Sequence, residues 1–201
     1  MVATATLIPG FADPVFDAQS SFRAAMDALS RPGTIQQIGC PLTPPKGLSA
    51  ASAALMLTLC DYDTPVYLSA ALAQGAVPGW LGFHAGAKVT SDKSNSAFAF
   101  FDKSSPLPAF SQFSQGTQDY PDRSTTIVLE VASLEGGARL SLSGPGIKGA
   151  NEISPVGLPA TFLDQWRANR ALFPRGIDLI LTCGNRLIGL PRTVNIKALE
   201  V

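Results

Sequence analysis

The chain has 201 residues, of which 15% are charged and 46% are apolar, and its acidic and basic residues cancel to a formal net charge of zero. This length fits one domain spanning residues 1–201, and balanced charge without a Lys/Arg cluster argues against binding to nucleic acid or to an anionic membrane surface. Because charged residues are scarce, much of the folded surface must be uncharged, which favours contact with partner proteins.

The first predicted element is a helix within residues 13–33, preceded by a loose N-terminal arm at residues 1–10. Asp17 is expected to be its N-cap, and Pro32 follows its expected end. Apolar residues recur there at helical spacing and are therefore expected to form the buried face. These residues are Phe22, Ala25, Met26 and Leu29.

The next stretch alternates short strands with helices. Residues 34–38 predict a short strand, and Ser49 is expected to cap a mostly buried helix rich in alanine and leucine. A turn at residues 61–65 leads into a brief strand, and Pro78 is expected to open another short helix.

The middle of the chain holds one clear strand. Residues 97–101 are apolar on both faces, as expected for a strand inside a sheet that is covered on each side. Residues 106–115 are expected to form a short helix. A further helix is predicted within residues 158–173 and would pack on the sheet.

Two pairs of strands are expected late in the chain. The first pair covers residues 124–134 and 138–143, and the second covers residues 177–183 and 186–190. The second pair is joined by a Gly-Asn turn at 184–185, which is typical of a type II′ hairpin. Because helices interleave with strands early and antiparallel pairs come late, we expect an α/β fold, a three-layer α/β/α domain with a mixed β-sheet.

The cysteines and the single histidine indicate structural roles. Cys40, Cys60 and Cys183 are an odd number at wide spacing, which argues against a disulfide framework and a zinc site and favours a cytoplasmic location. His84 has no ligand partner at helical spacing, so it is expected to be a partly buried structural residue and no metal site is predicted.

A glycine-rich loop follows one predicted strand. Gly144, Gly146 and Gly149 match the spacing of dinucleotide-binding loops, but no helix is expected after them, so a dinucleotide site is disfavoured. Two interpretations remain. Backbone N–H groups of Ser143, Gly144 and Gly146 would bind an anion, or the loop is a tight turn that ends an edge strand.

Arginines form the strongest polar constellation of the sequence. They are Arg23, Arg31, Arg175, Arg186 and Arg192. If two or three of them converged, their planar forks would make a pocket for phosphate or carboxylate groups. The equal alternative is an ion pair between Asp178 and Arg192 that fixes the last hairpin.

Four segments together carry a resemblance to a known family. They are DAQSSFRAAMDALSRPGTI, LTLCDYDTPVYL, LSGPGI and FPRGIDLILTCGNRLIGLPRT. In this order and at these distances they closely resemble the PhnH family, which are subunits of the bacterial carbon-phosphorus lyase system for phosphonate use. The resemblance runs from Phe11 to Lys197, although residues 91–123 match poorly.

This resemblance implies a fold related to the pyridoxal-phosphate (PLP)-dependent transferases, in a reduced form without the cofactor. It also implies a homodimer for the isolated subunit and a core complex with the subunits PhnG, PhnI and PhnJ. By the same resemblance, the chain would be an accessory subunit at the step that makes ribose 1-methylphosphonate 5-triphosphate from ATP and methylphosphonate.

No catalytic residue carries over from the family, so the candidate residues for ligand or subunit contact are a hypothesis. They are Arg23, Arg31, Ser143, Gly144, Gly146, Asp178, Arg192 and Thr193. The alternative function is a stand-alone protein or enzyme that binds phosphate, phosphonate or a nucleotide in an Arg-rich pocket.

Overall fold

The computed structural model describes residues 8–199, in which helices and strands alternate along the chain. The helices are α1 (Pro14–Ser30), α2 (Ala50–Leu59), α3 (Ala70–Ala73), α4 (Val77–Ala85) and α5 (Phe162–Arg170). The strands are β1 (Gln36–Gln37), β2 (Pro65–Leu68), β3 (Lys88–Thr90), β4 (Phe98–Phe101), β5 (Thr126–Glu130), β6 (Leu140–Ser143), β7 (Asn151–Ile153), β8 (Asp178–Cys183), β9 (Arg186–Leu190) and β10 (Asn195–Ala198). Among the described helices, none combines the length and the apolar character needed to cross a membrane.

A mixed seven-stranded sheet lies at the centre of the fold, with the strand order β1-β9-β8-β5-β4-β2-β3. Strands β8, β5, β4, β2 and β3 pair in parallel. Strand β9 is antiparallel to β8, and β1 is antiparallel to β9. The predicted α/β class with a mixed sheet is therefore confirmed.

Two apolar cores lie on the two faces of this sheet, because successive strand residues point in opposite directions. Val128 and Ile180 belong to the core beneath α1, α2 and α4. Ile127 and Leu179 belong to the core on the other face, which α5 covers together with a second sheet of order β10-β6-β7. Helices were expected on both faces, but on this second face one helix shares the layer with a three-stranded antiparallel sheet.

Helix α1 begins one turn earlier than predicted. Asp13 is the N-cap, and its carboxylate accepts the N–H groups of Val15 and Phe16, each at 3.2 Å. Asp17, the predicted N-cap, instead lies in the first turn and accepts the N–H of Asp13 at 3.0 Å. The two carboxylates thus satisfy three backbone donors at this helix end, which explains why Asp13 prevails.

Local turn and cap signals correctly predicted several other elements. Ser49 caps α2, and its Oγ accepts the N–H of Ser52 at 3.2 Å. The hairpin of β8 and β9 turns at Gly184, whose φ of 61° is positive as a type II′ turn requires at its first central position.

Two predictions about the middle of the chain are wrong. Residues 106–115 form only a 3-10 turn at Phe110–Gln112, because Pro106 and Pro108 cannot donate the backbone hydrogen bonds of a longer helix. Strands β5 and β6 do not pair with each other. β5 lies between β4 and β8, whereas β6 lies between β10 and β7 in the second sheet.

The described part of the expected N-terminal arm contacts α4. Trp80 Nε1 donates to the carbonyl oxygen of Pro9 at 3.4 Å, and His84 Nε2 donates to that of Ile8 at 3.0 Å. Residues 8–10 are therefore held against the fold, and residues 1–7 of the predicted arm lie outside the described residues. His84 has the structural role that its isolation in the sequence suggested.

Candidate functional site

The last hairpin brings together Asp178, at the start of β8, and Arg192, just after β9. Asp178 Oδ1 accepts the Arg192 backbone N–H at 2.7 Å and Arg192 Nε at 3.1 Å. Arg192 Nη2 also donates to Asp178 Oδ2, so the guanidinium binds the carboxylate with two parallel hydrogen bonds. The ion pair expected between these residues is present.

The remaining donors of Arg192 are also occupied. Nη1 donates to the carbonyl oxygens of Pro121 at 2.8 Å and Pro174 at 3.4 Å, and Nη2 donates to Ser124 Oγ at 2.6 Å. All five N–H groups of a guanidinium thus have acceptors within the chain, and the side chain is only 13% exposed. Arg192 joins the hairpin to two loops and keeps no donor for an external anion.

The glycine-rich loop is a tight turn wedged between two other segments. A Cβ on Gly144 would lie 3.2 Å from the carbonyl oxygen of Thr193, and one on Gly146 would lie 2.2 Å from that of Ser30. Ser143, the preceding residue, is paired with Asn195 in the second sheet. Glycine is needed here for close approach of backbones, which favours the structural interpretation of this loop over the anion-binding one.

An open pocket of about 300 Å³ adjoins this loop. It is lined by Pro145, Arg170, Phe173, Arg192 and Thr193. Arg170, in the last turn of α5, makes no ion pair or side-chain hydrogen bond with the residues that the structure describes, and the Phe173 ring is 61% exposed. The pocket therefore offers one uncommitted cation beside a flat aromatic surface.

Arg170 was not predicted as a site residue. The available signal was its place next to Arg167 in the last turn of a helix, where basic residues also stabilise the helix end. Because basic residues are common at helix ends for this structural reason, the sequence does not indicate a functional role for Arg170. Only its position in the pocket lining distinguishes it from other basic residues at helix ends.

The other predicted arginines do not converge with Arg192. Arg31 pairs with Asp27 at 2.9 Å at the end of α1. Arg186 pairs with Glu135 at 2.8 Å, at the opposite end of β9 from Arg192. Arg23 lies on the exposed side of α1. These three side chains lie on separate elements and do not gather around Arg192.

A second polar cluster, which the sequence analysis missed, lies at the carboxyl edge of the parallel strands. The connection after β2 packs on one face of the sheet and the connection after β4 on the other. Open α/β sheets bind ligands in the crevice between two such strands. In this chain Ser69, after β2, donates to Asp102, after β4, at 2.6 Å.

Asp102 occupies this crevice with its own carboxylate. It accepts the Ser104 backbone N–H at 2.8 Å and the hydroxyls of Ser104 and Ser105. Burial opposes ionisation, but the hydrogen bonds from Ser104, Ser105 and Ser69 outweigh it and hold the pKa of Asp102 well below its usual value. The signal in the sequence was an Asp followed by two serines directly after a strand.

A neighbouring carboxyl, Glu130, has the opposite electrostatic character. Burial raises its pKa, although its Oε2 accepts the backbone N–H of Ser49 at 2.8 Å at the start of α2. Glu130 therefore stabilises the beginning of a buried helix. Within residues 8–199, no group of three or more His, Cys, Asp or Glu side chains is arranged to hold a metal ion.

Fold and polar clusters together define a class: a mixed α/β protein in which Asp102, Asp178 and Arg192 are bonded to other groups of the same chain. The family model described as bacterial phosphonate metabolism protein (PhnH) matches residues 9–197, and the chain belongs to this family.

Curated relatives agree with this assignment. The chain is 54% identical to the alpha-D-ribose 1-methylphosphonate 5-triphosphate synthase subunit PhnH of Rhizobium meliloti (strain 1021), over 98% of this chain and 99% of that protein. It is also 34% identical, over 82 residues, to the putative C-P lyase subunit protein HtxG of Stutzerimonas stutzeri, which covers 41% of this chain and 42% of that protein.

Proposed function

We propose that this chain is an accessory subunit of a carbon-phosphorus lyase core complex. It would be needed at the step that makes ribose 1-methylphosphonate 5-triphosphate from ATP and methylphosphonate. The observation that carries this proposal is the 54% identity, over almost the whole of both chains, to a protein named as a subunit of that synthase.

The chain would not be catalytic alone, because the groups that usually carry catalysis serve the fold. His84 holds residue 8, Asp102 closes the strand-edge crevice, and Arg192 binds acceptors within the chain. Burial, together with the nearby charge of Asp61, raises the pKa of the Cys60 thiol, which keeps it protonated and unreactive. Catalysis would then belong to the partner subunits.

The proposed partners are PhnG, PhnI and PhnJ, with a homodimer when the chain is isolated and the cytoplasm as its location. The low charged fraction supports this assignment, as do exposed apolar side chains such as Val15 and Phe16, because subunit contacts need uncharged surface.

Co-expression tests this function. A tagged copy produced with PhnG, PhnI and PhnJ is expected to co-purify in a stoichiometric complex, and omission of this chain is expected to abolish synthase activity. The purified chain alone should leave ATP and methylphosphonate unchanged. Turnover by the isolated chain, or its exclusion from the complex, would overturn the proposal.

We also propose the relationship to PLP-dependent transferases, without the cofactor. A mixed sheet enclosed by two layers supports it, and the lysines of the described residues are exposed or half-buried rather than enclosed in a cavity. Addition of PLP is expected to produce no saturable imine absorbance. A stoichiometric imine would contradict the cofactor-free assignment.

A second candidate function is binding of a phosphate, phosphonate or nucleotide at Arg170. The pocket between Arg170 and Phe173 favours it, since a guanidinium suits an anion and an aromatic ring suits a base. In this case ATP or methylphosphonate would raise the melting temperature of the wild-type chain but not of Arg170→Ala. Equal shifts, or none, would remove this candidate.

A further inference from the structure

A groove runs between α5 and β10, which pack against each other in the layer on the second face of the main sheet. One cavity of about 320 Å³ lies along the groove, and the open pocket of about 300 Å³ beside Phe173 lies at its end. Arg170 lines both cavities, so they are adjoining parts of one groove. Pockets for small molecules are about 300–1,000 Å³ in volume, and the groove is of this size.

The floor of the groove belongs to the buried core. Trp166 of α5 is 1% exposed, and its Nε1 donates to the carbonyl oxygen of Val194 at 2.9 Å. Val194 and Ile196 are buried in the same core as Trp166. Helix and strand are therefore held together beneath the groove, which is already formed before a ligand binds.

The strand side of the groove carries polar side chains. Because Ile196 points into the core, its neighbours Asn195 and Lys197 point to the opposite side of β10. Asn195 is half-buried and Lys197 is exposed. Neither side chain makes an ion pair or a hydrogen bond within the described part of the chain. This side therefore offers one ammonium and one amide to a ligand.

The helix side carries two arginines. Arg167 and Arg170 lie one turn apart on α5, and both are exposed. Arg167 pairs with Asp164 at 3.1 Å, but both side chains are 80% exposed, so this pair is weak and can be replaced by another anion. Among the described residues that line the two cavities there is no Asp or Glu.

The positive charge is drawn out along the groove. Three cations line it besides the already bonded Arg192, and they are Arg167, Arg170 and Lys197. Thr193 lines the end beside Phe173, and Lys197, four residues on, lies about 13 Å away along an extended chain. A concave surface with one sign of charge attracts ligands of the opposite sign. A single phosphate would reach only part of this row, whereas a chain of phosphates could follow it.

We propose that this groove, lined by Arg167, Arg170, Phe173, Asn195 and Lys197, binds a nucleoside polyphosphate. The base stacks on the exposed ring of Phe173, and the phosphate chain runs past Arg170 towards Arg167 and Lys197. The inference rests on the second candidate function, anion binding at Arg170. It narrows the ligand to one that combines a base with several phosphate groups.

The stabilisation of a helix end does not account for this arrangement. Basic residues in the last turn of α5 have that role by themselves, and it would explain Arg167 and Arg170. Lys197 belongs to a strand instead, yet it lines the same cavity as both arginines. Cations from two separate elements therefore share one concave surface, as a ligand with several negative charges requires.

The first test compares four ligands by isothermal titration calorimetry of the purified wild-type chain at one fixed magnesium concentration. The ligands are ATP, tripolyphosphate, adenosine and methylphosphonate. ATP is expected to bind most tightly, and tripolyphosphate about tenfold more weakly because it lacks a base to stack. Adenosine and methylphosphonate, which each lack the phosphate chain, are expected to bind more weakly than tripolyphosphate.

The second test assigns the two ends of the groove. Lys197→Gln is expected to weaken the binding of ATP and of tripolyphosphate by about tenfold each, because it removes one contact to the phosphate chain. Phe173→Leu should weaken ATP and leave tripolyphosphate unchanged, because it removes the ring but not a charge. The matched control is Lys88→Gln, which removes the same charge at an exposed lysine of β3 and should bind both ligands as the wild type does.

The outcomes separate this inference from the candidate function on which it rests. If methylphosphonate binds as tightly as ATP, or if Lys197→Gln binds ATP as the wild type does while Arg170→Ala does not, the polyphosphate groove is overturned and anion binding at Arg170 stands. If none of the four ligands binds, both are overturned. Circular dichroism of each variant would show that a loss of binding is not a loss of fold.

Discussion

Arg192 shows that the chemistry of a side chain does not by itself decide between two possible roles. The guanidinium looked equally suited to a ligand and to an ion pair, and the structure directs its N–H groups to Asp178, Ser124 and two proline carbonyl oxygens. Truncation would leave Asp178 Oδ2 and two carbonyl oxygens without their donor, while Oδ1 would keep only the backbone N–H of residue 192.

We therefore expect Arg192→Ala to lower the free energy of unfolding by about 3 kcal/mol in urea titrations. Arg192→Lys should lose less, because an ammonium keeps the charge but not the fork geometry. Arg170→Ala is the matched control and should change stability by less than about 0.5 kcal/mol. A fully stable Arg192→Ala would show that the hydrogen-bond cluster does not stabilise the hairpin.

Asp102 provides a prediction on pH dependence. Its pKa is lowered in the folded chain, so the folded state holds its proton less well than the unfolded state, whose pKa is about 3.9. The resulting stabilisation is complete above about pH 5 and is lost as the pH falls towards the folded pKa. Asp102→Asn should therefore cost about 2 kcal/mol at pH 7 and much less at pH 3, measured by urea unfolding.

Glu130→Gln is the control for this pH series. Because burial raises the pKa of Glu130, the wild type loses part of its stability as the pH rises from the unfolded towards the folded value. The two variants should consequently differ from the wild type with opposite pH trends. A constant difference for Asp102→Asn between pH 3 and pH 7 would contradict the assignment.

At the scale of elements, the contact of α1 with β9 depends on one glycine. We expect Gly189→Ala to destabilise the chain by about 2 kcal/mol, since the new methyl group would collide with backbone atoms of Ala28. Gly82→Ala in α4 is the control. A Cβ added at Gly82 meets nothing within 4 Å, so this variant should stabilise the helix by about 0.5–1 kcal/mol. Thermal melting of both variants and of the wild type measures the two effects.

Elements defined by local chemistry were predictable, and those defined by distant neighbours were not. Ser49 and the Gly184 turn act within a few residues, so α2 and the last hairpin could be read directly. The exposed positions of Phe22 and Met26 on α1 could not, because helical spacing shows that apolar residues share a face but not whether that face meets the core. These two residues were assigned to the wrong environment for this reason.

At the scale of the whole molecule, the positions of the two tryptophans allow the cooperativity of unfolding to be tested. The chain has two tryptophans, and Trp80 lies in the core on one face of the main sheet while Trp166 lies in the core on the other. The central strands β5 and β8 contribute alternate residues to both cores. Unfolding of either core should therefore disrupt the other.

We expect one cooperative transition. In Trp80→Phe, the fluorescence of Trp166 should change at the same urea concentration as the circular dichroism, and the corresponding result should hold for Trp166→Phe. Fluorescence of Trp166 that changes at clearly lower urea would show that α5 and the second sheet unfold separately. The chain would then consist of two units rather than the single domain that its length predicts.

The sequence by itself determined the fold class, the Ser49-capped helix, the last hairpin and membership of the PhnH family, and it left the pairing of Asp178 with Arg192 as one of two equal alternatives. These features depend on local periodicity, turn chemistry and four ordered segments. Only the tertiary structure decided that β6 leaves the main sheet, that Asp102 fills the strand-edge crevice, that Arg170 rather than Arg23 borders the pocket, and that α1 turns its large side chains outward. The physical reason is that each of these depends on contacts between residues far apart in the chain, whose partners no local pattern specifies.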